Sequence, residues 1–478
     1  METKELNDEL FQEKVSLLSM NNLSFELGSA LSVCASRNKY VQFSQPSTLN
    51  NVSASSQALI IFNQGSAFIN GFKSLLNFSV KVNAGTAADF NYWSFGKKAT
   101  RNSGGSCQNL ISQVILQSRG GEVLFQNIYH NVYAATTTPW KHNKEGYKVM
   151  TMLGGADENG NFPLYPVGKT IQFGIPLYML SDLFSIASLL PPQALAGAKL
   201  LISYSNLADA IMGWTDANTQ IKYSEVAKGS YTVDNINLSV DMSELYDSAN
   251  QLIQASANNL SSSGLQTSFK TYYAALFSPN AGTVSLDLNI SAAKISNLFV
   301  RFIQKPPDDL TTWENVPMAG ASIAELTGVP VDDFNTLNKA TWQTRLGSQQ
   351  IPLFAVNTAT ETYKQIIDGM CSWKNAGIRD VDALSTLNRP DAVPITYYDF
   401  YGNSDVFAPD GSGTGCFGIC VDYEKSNAVG IAGVSSNNSK LITLQLNGWK
   451  NLANYNVLIF VELMSVINST SQNNVVDR

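Results

Sequence analysis

The side chains best suited to chemistry are few and scattered. Two histidines occur in 478 residues, His130 in the Tyr/Asn-rich run "QNIYHNVYA" and His142 in the Lys-rich run "WKHNKEGYK". Either could be the general base for a serine or cysteine nucleophile, which needs the nucleophile within hydrogen-bond reach and a third group to orient the ring. No Gly-x-Ser-x-Gly or Cys-Gly-Ser-Cys context stands in the sequence to supply that partner. Cys416-x-x-x-Cys420 offers two thiolates, but a tetrahedral zinc site needs four ligands and no second pair or nearby histidine completes it. Cys420 alternates with its neighbours in "FGICVDY" and reads as a packed thiol.

The carboxylate pairs Asp308-Asp309 and Asp332-Asp333 could hold a cation or, with other carboxylates, cut a glycosidic bond. In Pro-flanked segments they read more simply as solvated turn residues. The spaced glycines of "DGSGTGCFG" are followed by neither Lys-Ser/Thr nor a helix start, so phosphate-loop and dinucleotide readings fail. No catalytic, cofactor-binding or metal-binding residue is predicted, and no cofactor.

The elements that would have to position such groups are strands. "YVQFSQPSTLN", "SSQALIIFNQGSAFINGFKSLLNFSVKVN" and "YTVDNINLSVDMSELY" are rich in β-branched and aromatic residues with Gly punctuation. "CQNLISQVILQSRGGEVLFQNIYHNVYAATT" predicts two strands about the turn Arg119-Gly120-Gly121, then a short helix near Ile128–Ala135. The stretch Ile171–Ala208, uncharged from Leu183 to Ala198, is too short to span a bilayer and is broken by Pro191-Pro192. It predicts a strand over Ile171–Leu180, an apolar turn or helix over Asp182–Leu190, and a strand over Ala198–Leu207. Leu183, Phe184, Leu189 and Leu190 should all be buried, within the protomer or between subunits.

The first twenty residues predict one weak amphipathic helix, carried by Leu6, Leu10, Phe11, Val15 and Leu18, in an arm over residues 1–39. Residues 243–264 predict a short helix followed by a Ser/Asn linker, dividing the chain into 40–250 and 265–478 with 251–264 between. Strands resume in "LQTSFKTYYAALFS", "GTVSLDLNISAAKISNLFVRFIQ", "SKLITLQLN" and "YNVLIFVELMSVIN", with a long irregular insertion at about 305–415. Many strands and almost no long helices predict an all-β protein of sandwiches or barrels, two units of about 200 residues each.

Composition narrows the function classes. Only 14% of residues are charged, against about 25% in an average soluble protein. Asn, Ser and Thr take their place, as suits long polar loops and extensive subunit contacts. Net charge is −7 (31 Lys and Arg against 38 Asp and Glu) with no basic run, which excludes the basic face needed to wrap nucleic acid. The start, "METKELNDELFQEK", lacks signal-peptide order, so the triplets at Asn77, Asn289 and Asn468 read as chance products of an Asn/Ser-rich chain. Five cysteines without even spacing suit a reducing compartment.

Four stretches in this order resemble a known family. They are "FINGFKSLLNFSVKVNAG", "CQNLISQVILQSRGGEVLFQNIYHNVYA", "FGIPLYMLSDLFSIASLLPPQALAGAKLLISYSNLA" and "YTVDNINLSVDMSEL". The third is the most specific: Ile-Pro-Leu, a short apolar Leu-Phe segment, a Leu-Pro pair, a small-residue turn, then a strand. "LNISAAKISNLFVRFI", "FGICVDYEKSNAVGIAGVSSNNSKLITLQL" and "NVLIFVELMSVI" extend it through the second half. The chain resembles the double jelly-roll major capsid proteins of virophages, Polinton-like viruses and larger DNA-virus relatives.

The resemblance implies two consecutive eight-stranded jelly rolls with short helices and long loops, and no enzymatic activity. It implies homotrimers of pseudo-hexameric outline that tile an icosahedral shell in the virion, after synthesis in the host cytoplasm or nucleus. Its partners would be itself, neighbouring capsomers and penton or minor capsid proteins, with no sequence-specific nucleic-acid contact and no transmembrane segment. A β-sandwich carbohydrate-active enzyme or lectin and a minor capsid or spike protein are the alternatives.

Overall fold

The computed structural model describes residues 34–63, 65–85, 90–96, 105–141, 149–155, 162–185, 189–247, 265–292, 294–311, 313, 320–327, 337, 339–370, 417–423, 441–469 and 474–477. The expected arm helix over the first twenty residues, the linker at 251–264 and the "APDGSGTG" tip lie outside the described residues.

Strands dominate because β-branched and aromatic residues alternate along them and bury one face. In the first half, β1 (Cys34–Phe43), β2 (Gln57–Ile61), β3 (Phe68–Asn83), β4 (Tyr92–Ser94), β5 (Ile111–Gln117) and β6 (Val123–Ile128) precede a helix, α1 (His130–Lys141). Then come β7 (Tyr165–Pro166), β8 (Thr170–Pro176), β9 (Lys199–Tyr204), β10 (Met212–Trp214) and β11 (Ser230–Leu245). Eight of these form two four-stranded antiparallel sheets, ordered β1-β11-β3-β8 and β2-β9-β5-β6, while β10-β4-β7 make a small third sheet. The β5–β6 hairpin turns at Gly121, whose φ of 91° is the left-handed geometry that glycine adopts without strain.

The second half repeats the plan. It runs β12 (Leu265–Phe277), β13 (Val284–Leu288), β14 (Ile295–Gln304), β15 (Thr341–Leu346), β16 (Gln349–Val356), a helix α2 (Ala359–Met370), β17 (Gly418–Asp422), β18 (Ile442–Asn447) and β19 (Tyr455–Ser469). Its sheets are β12-β19-β14-β17 and β13-β18-β15-β16, with β20 (Asn474–Asp477) paired to β19. Setting aside the small sheet and β20, the eight strands of each half fall in the same spatial order: first-eighth-third-sixth in one sheet, second-seventh-fourth-fifth in the other. That is a jelly roll made twice. Among the described residues no sheet mixes strands of the two halves.

Each roll has its own core, and the cores interlock where β12 lies against β6. Phe269 and Ile467 of the second roll belong to the first roll's cluster; Val132 and Tyr133 of the first belong to the second's. The Tyr272 ring lies 4.2 Å from that of Tyr133 and meets Phe125 edge-on at 6.4 Å, and Tyr133 meets Phe460 at 5.2 Å. The Asp182 carboxylate accepts the Lys270 backbone N–H at 2.9 Å, and the Lys270 side chain pairs with Glu462.

The apolar passage is shorter in strand than its sequence suggests. β8 ends at Pro176, Leu177–Leu180 make one helical turn, and Asp182–Ser185 make a turn of 3-10 helix. Leu183, Phe184 and Leu190 are buried, as expected. Leu189 is half-exposed in the single copy, so its burial is not complete within the protomer. Leu190 bridges to Ile69 and turns inward, so its neighbour faces the other way. Phe184 stacks on Phe62 and lies over Gly71, where an added Cβ would stand 2.8 Å from the Phe184 backbone. Only glycine admits that approach.

Three other expectations need correction. The region 305–415 holds a short helix (Ile323–Thr327), β15, β16 and α2, so it is no loop insertion throughout. In "TWQTRL" two buried polar residues, Thr344 on the face of Trp342 and Leu346, and Gln343 on the other, hide the alternation. Gln343 donates to the carbonyls of Pro352 and Leu353 at 3.0 and 3.2 Å, and the Thr344 hydroxyl donates to the Ile351 carbonyl. Ser243–Leu245 close β11, so the helix expected from Ser243 begins no earlier than Asp247. β1 starts at Cys34, within the stretch read as an arm, because Arg37, Tyr40 and Phe43 pair along β11.

Candidate assembly surfaces

Among the described residues, those singled out for chemistry stand on separate elements: His130 on α1, Cys420 on β17, and Asp308-Asp309 in a turn after β14. His142, Cys416, Asp332 and Asp333 lie outside the described residues. Cys420 is buried in β17 opposite Phe299 and against Gly369 of α2, a packing position. Asp309 accepts the backbone N–H of Thr311 at 2.9 Å and its hydroxyl at 2.5 Å, which lowers its carboxyl pKa in an exposed turn. Among the described residues there is no group of three or more His, Cys, Asp or Glu placed to hold a metal ion, and no helix long and apolar enough to cross a membrane. An open cavity of about 470 Å³ at one end of the first roll is lined by Gln42, Gln45, Phe62, Asn63 and Arg119 among others, with no carboxylate among the described residues of its wall.

His130 opens α1 after Tyr129, which sits at a φ of 65°. It is fully buried, facing the Asn127 amide at 3.2 Å through Nδ1 and the Gln108 Oε1 at 3.2 Å through Nε2. An amide donating to Nδ1 and Nε2–H donating to a carbonyl oxygen suit the neutral ring. Burial lowers its pKa from 6.5 to about 3. The unfolded chain therefore takes up a proton below about pH 6.5 that the folded chain refuses until about pH 3. The resulting stability is complete above pH 6.5 and declines as pH falls, at up to about 1.4 kcal/mol per pH unit. His130→Gln should flatten the fall in melting temperature between pH 6.5 and 4 relative to the native chain; an unchanged slope would contradict a buried neutral ring.

What the structure does assemble is apolar surface on sheet edges. β1 and β16 are edge strands, each paired on one side among the described residues. On β1, Val41 is 48% and Phe43 56% exposed; on β16, Leu353 is 70% and Phe354 80% exposed. Residues 352–355 bulge out of the β15–β16 ladder, which is in register from Leu346/Gln349 to Thr344/Ile351 and resumes at Trp342/Val356. The two Gln343 hydrogen bonds fix this bulge, so the apolar pair is held outward by a built support. Sequence reading missed it because Leu353 and Phe354 look like ordinary strand residues until the register is known.

No protein-family profile matches the chain, and no curated protein does. Solved structures do. The Faustovirus major capsid protein superposes with a TM-score of 0.53 at 8% identity, over 92% of this chain and 92% of its own. The PBCV-1 virus capsid gives 0.52 at 11% identity over 95% of this chain and 99% of its own. The mavirus major capsid protein gives 0.50 at 9%, over 94% and 92%. The likeness spans both rolls: this chain has the double jelly-roll fold of viral major capsid proteins.

Proposed function

We propose that the chain is a major capsid protein, a non-enzymatic building unit that associates as trimers and tiles the icosahedral shell of a DNA virus. The observation that carries this reading is the doubled roll with one strand order, matched along more than nine-tenths of the chain in capsid proteins. Two equal rolls per copy place six around a threefold axis, a hexagonal outline that packs on a shell. Low charge and exposed apolar edges are what permanent subunit contacts require. Its partners would then be further copies, neighbouring capsomers and penton or minor capsid proteins, and its place the virion.

Light scattering of the purified protein tests this. A particle near three times 51.9 kDa, or shell-like assemblies, is the expected result. A monomer with glycosidase activity would contradict it and favour the carbohydrate-active alternative.

A further inference from the structure

The second roll carries an amine, a carboxylate and a primary amide on three adjacent strands. Lys270 on β12 pairs through Nζ with Oε1 of Glu462 on β19. The same oxygen accepts a hydrogen bond from Nδ2 of Asn297 on β14 at 3.4 Å. Amine and amide therefore meet at one carboxylate oxygen. Asn297 reaches it through a break in the ladder: the β14–β19 register shifts between Ile295 and Asn297, and such a bulge re-aims a side chain. Nδ2 also donates to the Gly369 carbonyl of α2 at 3.3 Å, which fixes the amide plane. The Oδ1 of this amide is buried with no hydrogen-bond partner among the described residues.

The first roll holds the matching row with different chemistry. Strand registers place Arg37 where the second roll has Lys270, Lys39 where it has Tyr272, Asp241 where it has Glu462, and Asn70 where it has Asn297. Arg37 grips both carboxylate oxygens of Asp241, and the Asn70 Oδ1 accepts the backbone N–H of Lys73 at 3.1 Å. That row is a structural ion pair, because a guanidinium stays protonated and is no nucleophile. Lysine in the same place can lose its proton and attack.

The surroundings in the second roll favour that step. Glu462 is 7% and Asn297 2% exposed. Tyr272 stands opposite Glu462 on the ladder, with the Tyr133 ring 4.2 Å away and Phe460 5.2 Å beyond it, so aromatic rings wall the site from water. Burial penalises charge, which brings the neutral amine and carboxylic acid closer in free energy to the ion pair. The Asp182 carboxylate holds the Lys270 backbone N–H, which anchors β12 at this point. The flexible four-carbon stem of lysine can close the remaining gap to the amide carbon.

We propose that Lys270 and Asn297 form an intramolecular isopeptide bond once the roll has folded, with Glu462 carrying the protons. Glu462 takes a proton from the Lys270 ammonium, and the neutral Nζ attacks Cγ of Asn297. The Nζ–Cγ bond forms and the Cγ–Nδ2 bond breaks. A second proton follows the first from Nζ to Nδ2 through the carboxylate, and the nitrogen leaves as ammonium. An ammonium and a primary amide thus become a secondary amide and a free ammonium ion, with no oxidant, reductant or other co-reactant. Holding the groups together supplies the effective concentration that such an attack needs. Each chain reacts once, so the protein remains a building unit and turns over no substrate. The bond ties β12, on which the first roll docks, to β14 two strands away, and it restricts the unfolded chain as any cross-link does.

Mass spectrometry of the purified full-length chain tests this. The intact mass should lie about 17 Da below the sequence value, the mass of one ammonia. After tryptic digestion, Ile295–Arg301 should appear joined to a peptide in which Lys270 is uncleaved. Lys270→Arg restores the ion pair of the first roll without a nucleophile; it should fold, show the full sequence mass and melt below the native chain. Glu462→Gln keeps the shape and removes the proton carrier, and it too should show the full mass. A native chain at full mass would overturn the proposal. A deficit that persists in Lys270→Arg would overturn it as well, by placing the lost ammonia elsewhere. Either result leaves the capsid reading as it stands, because the bond lies within one chain and trimer formation is measured separately.

Discussion

Leu183→Asp should yield no soluble, assembled protein. Leu183 is fully buried in the 3-10 turn that seats against β3 and β12, beside Phe184 and its stack on Phe62. The substitution removes about 2–5 kcal/mol of packing and strands a carboxylate with a cost of several kcal/mol more. Together these rival the ~5–15 kcal/mol by which a domain is stable. Leu183→Met, which keeps volume and polarity, should stay soluble with a loss below about 1.5 kcal/mol. Expression, sizing and thermal melting of both variants decide the matter; a soluble, assembled Asp variant would show that this segment is not core.

Cutting the chain between the rolls should have an effect as large. Residues 1–250 and 251–478, produced separately, are expected to aggregate, and to recover solubility when produced together. The first piece would bare Phe125, Val132 and Tyr133; the second would bare Phe269, Tyr272, Phe460 and Ile467. Aromatic side chains bury roughly 150–250 Å² each, so at about 25 cal/mol per Å² the five aromatics here set an upper bound of roughly 20–30 kcal/mol on the hydrophobic gain at the junction. Surfaces of that kind associate with whatever is present. Two separately soluble, monomeric halves would show that the rolls are independent domains, and that the interlocked aromatics contribute little.

Much of this was legible in residue types. The all-β class followed from alternating strands, and the β5–β6 hairpin from Gly120-Gly121 between two such runs. Burial of Leu183, Phe184 and Leu190 followed from an uncharged stretch too short and too broken for a membrane. The doubling was not visible as a repeat, because corresponding strands share position and not letters: β1 offers Arg37 and Lys39 where β12 offers Lys270 and Tyr272. β15 escaped notice because its buried Gln343 and Thr344 are satisfied by hydrogen bonds to β16, a pairing that exists only after folding. The assembly surfaces were the least legible. Exposure of Leu353 and Phe354 depends on a bulge fixed by a side chain ten residues upstream, and no local pattern encodes it.

Electron cryo-microscopy of the purified native protein tests the central claim most directly. The account predicts a three-copy particle with six jelly rolls around one axis. A particle without threefold symmetry, or a monomer at every concentration, would contradict the proposed capsid unit.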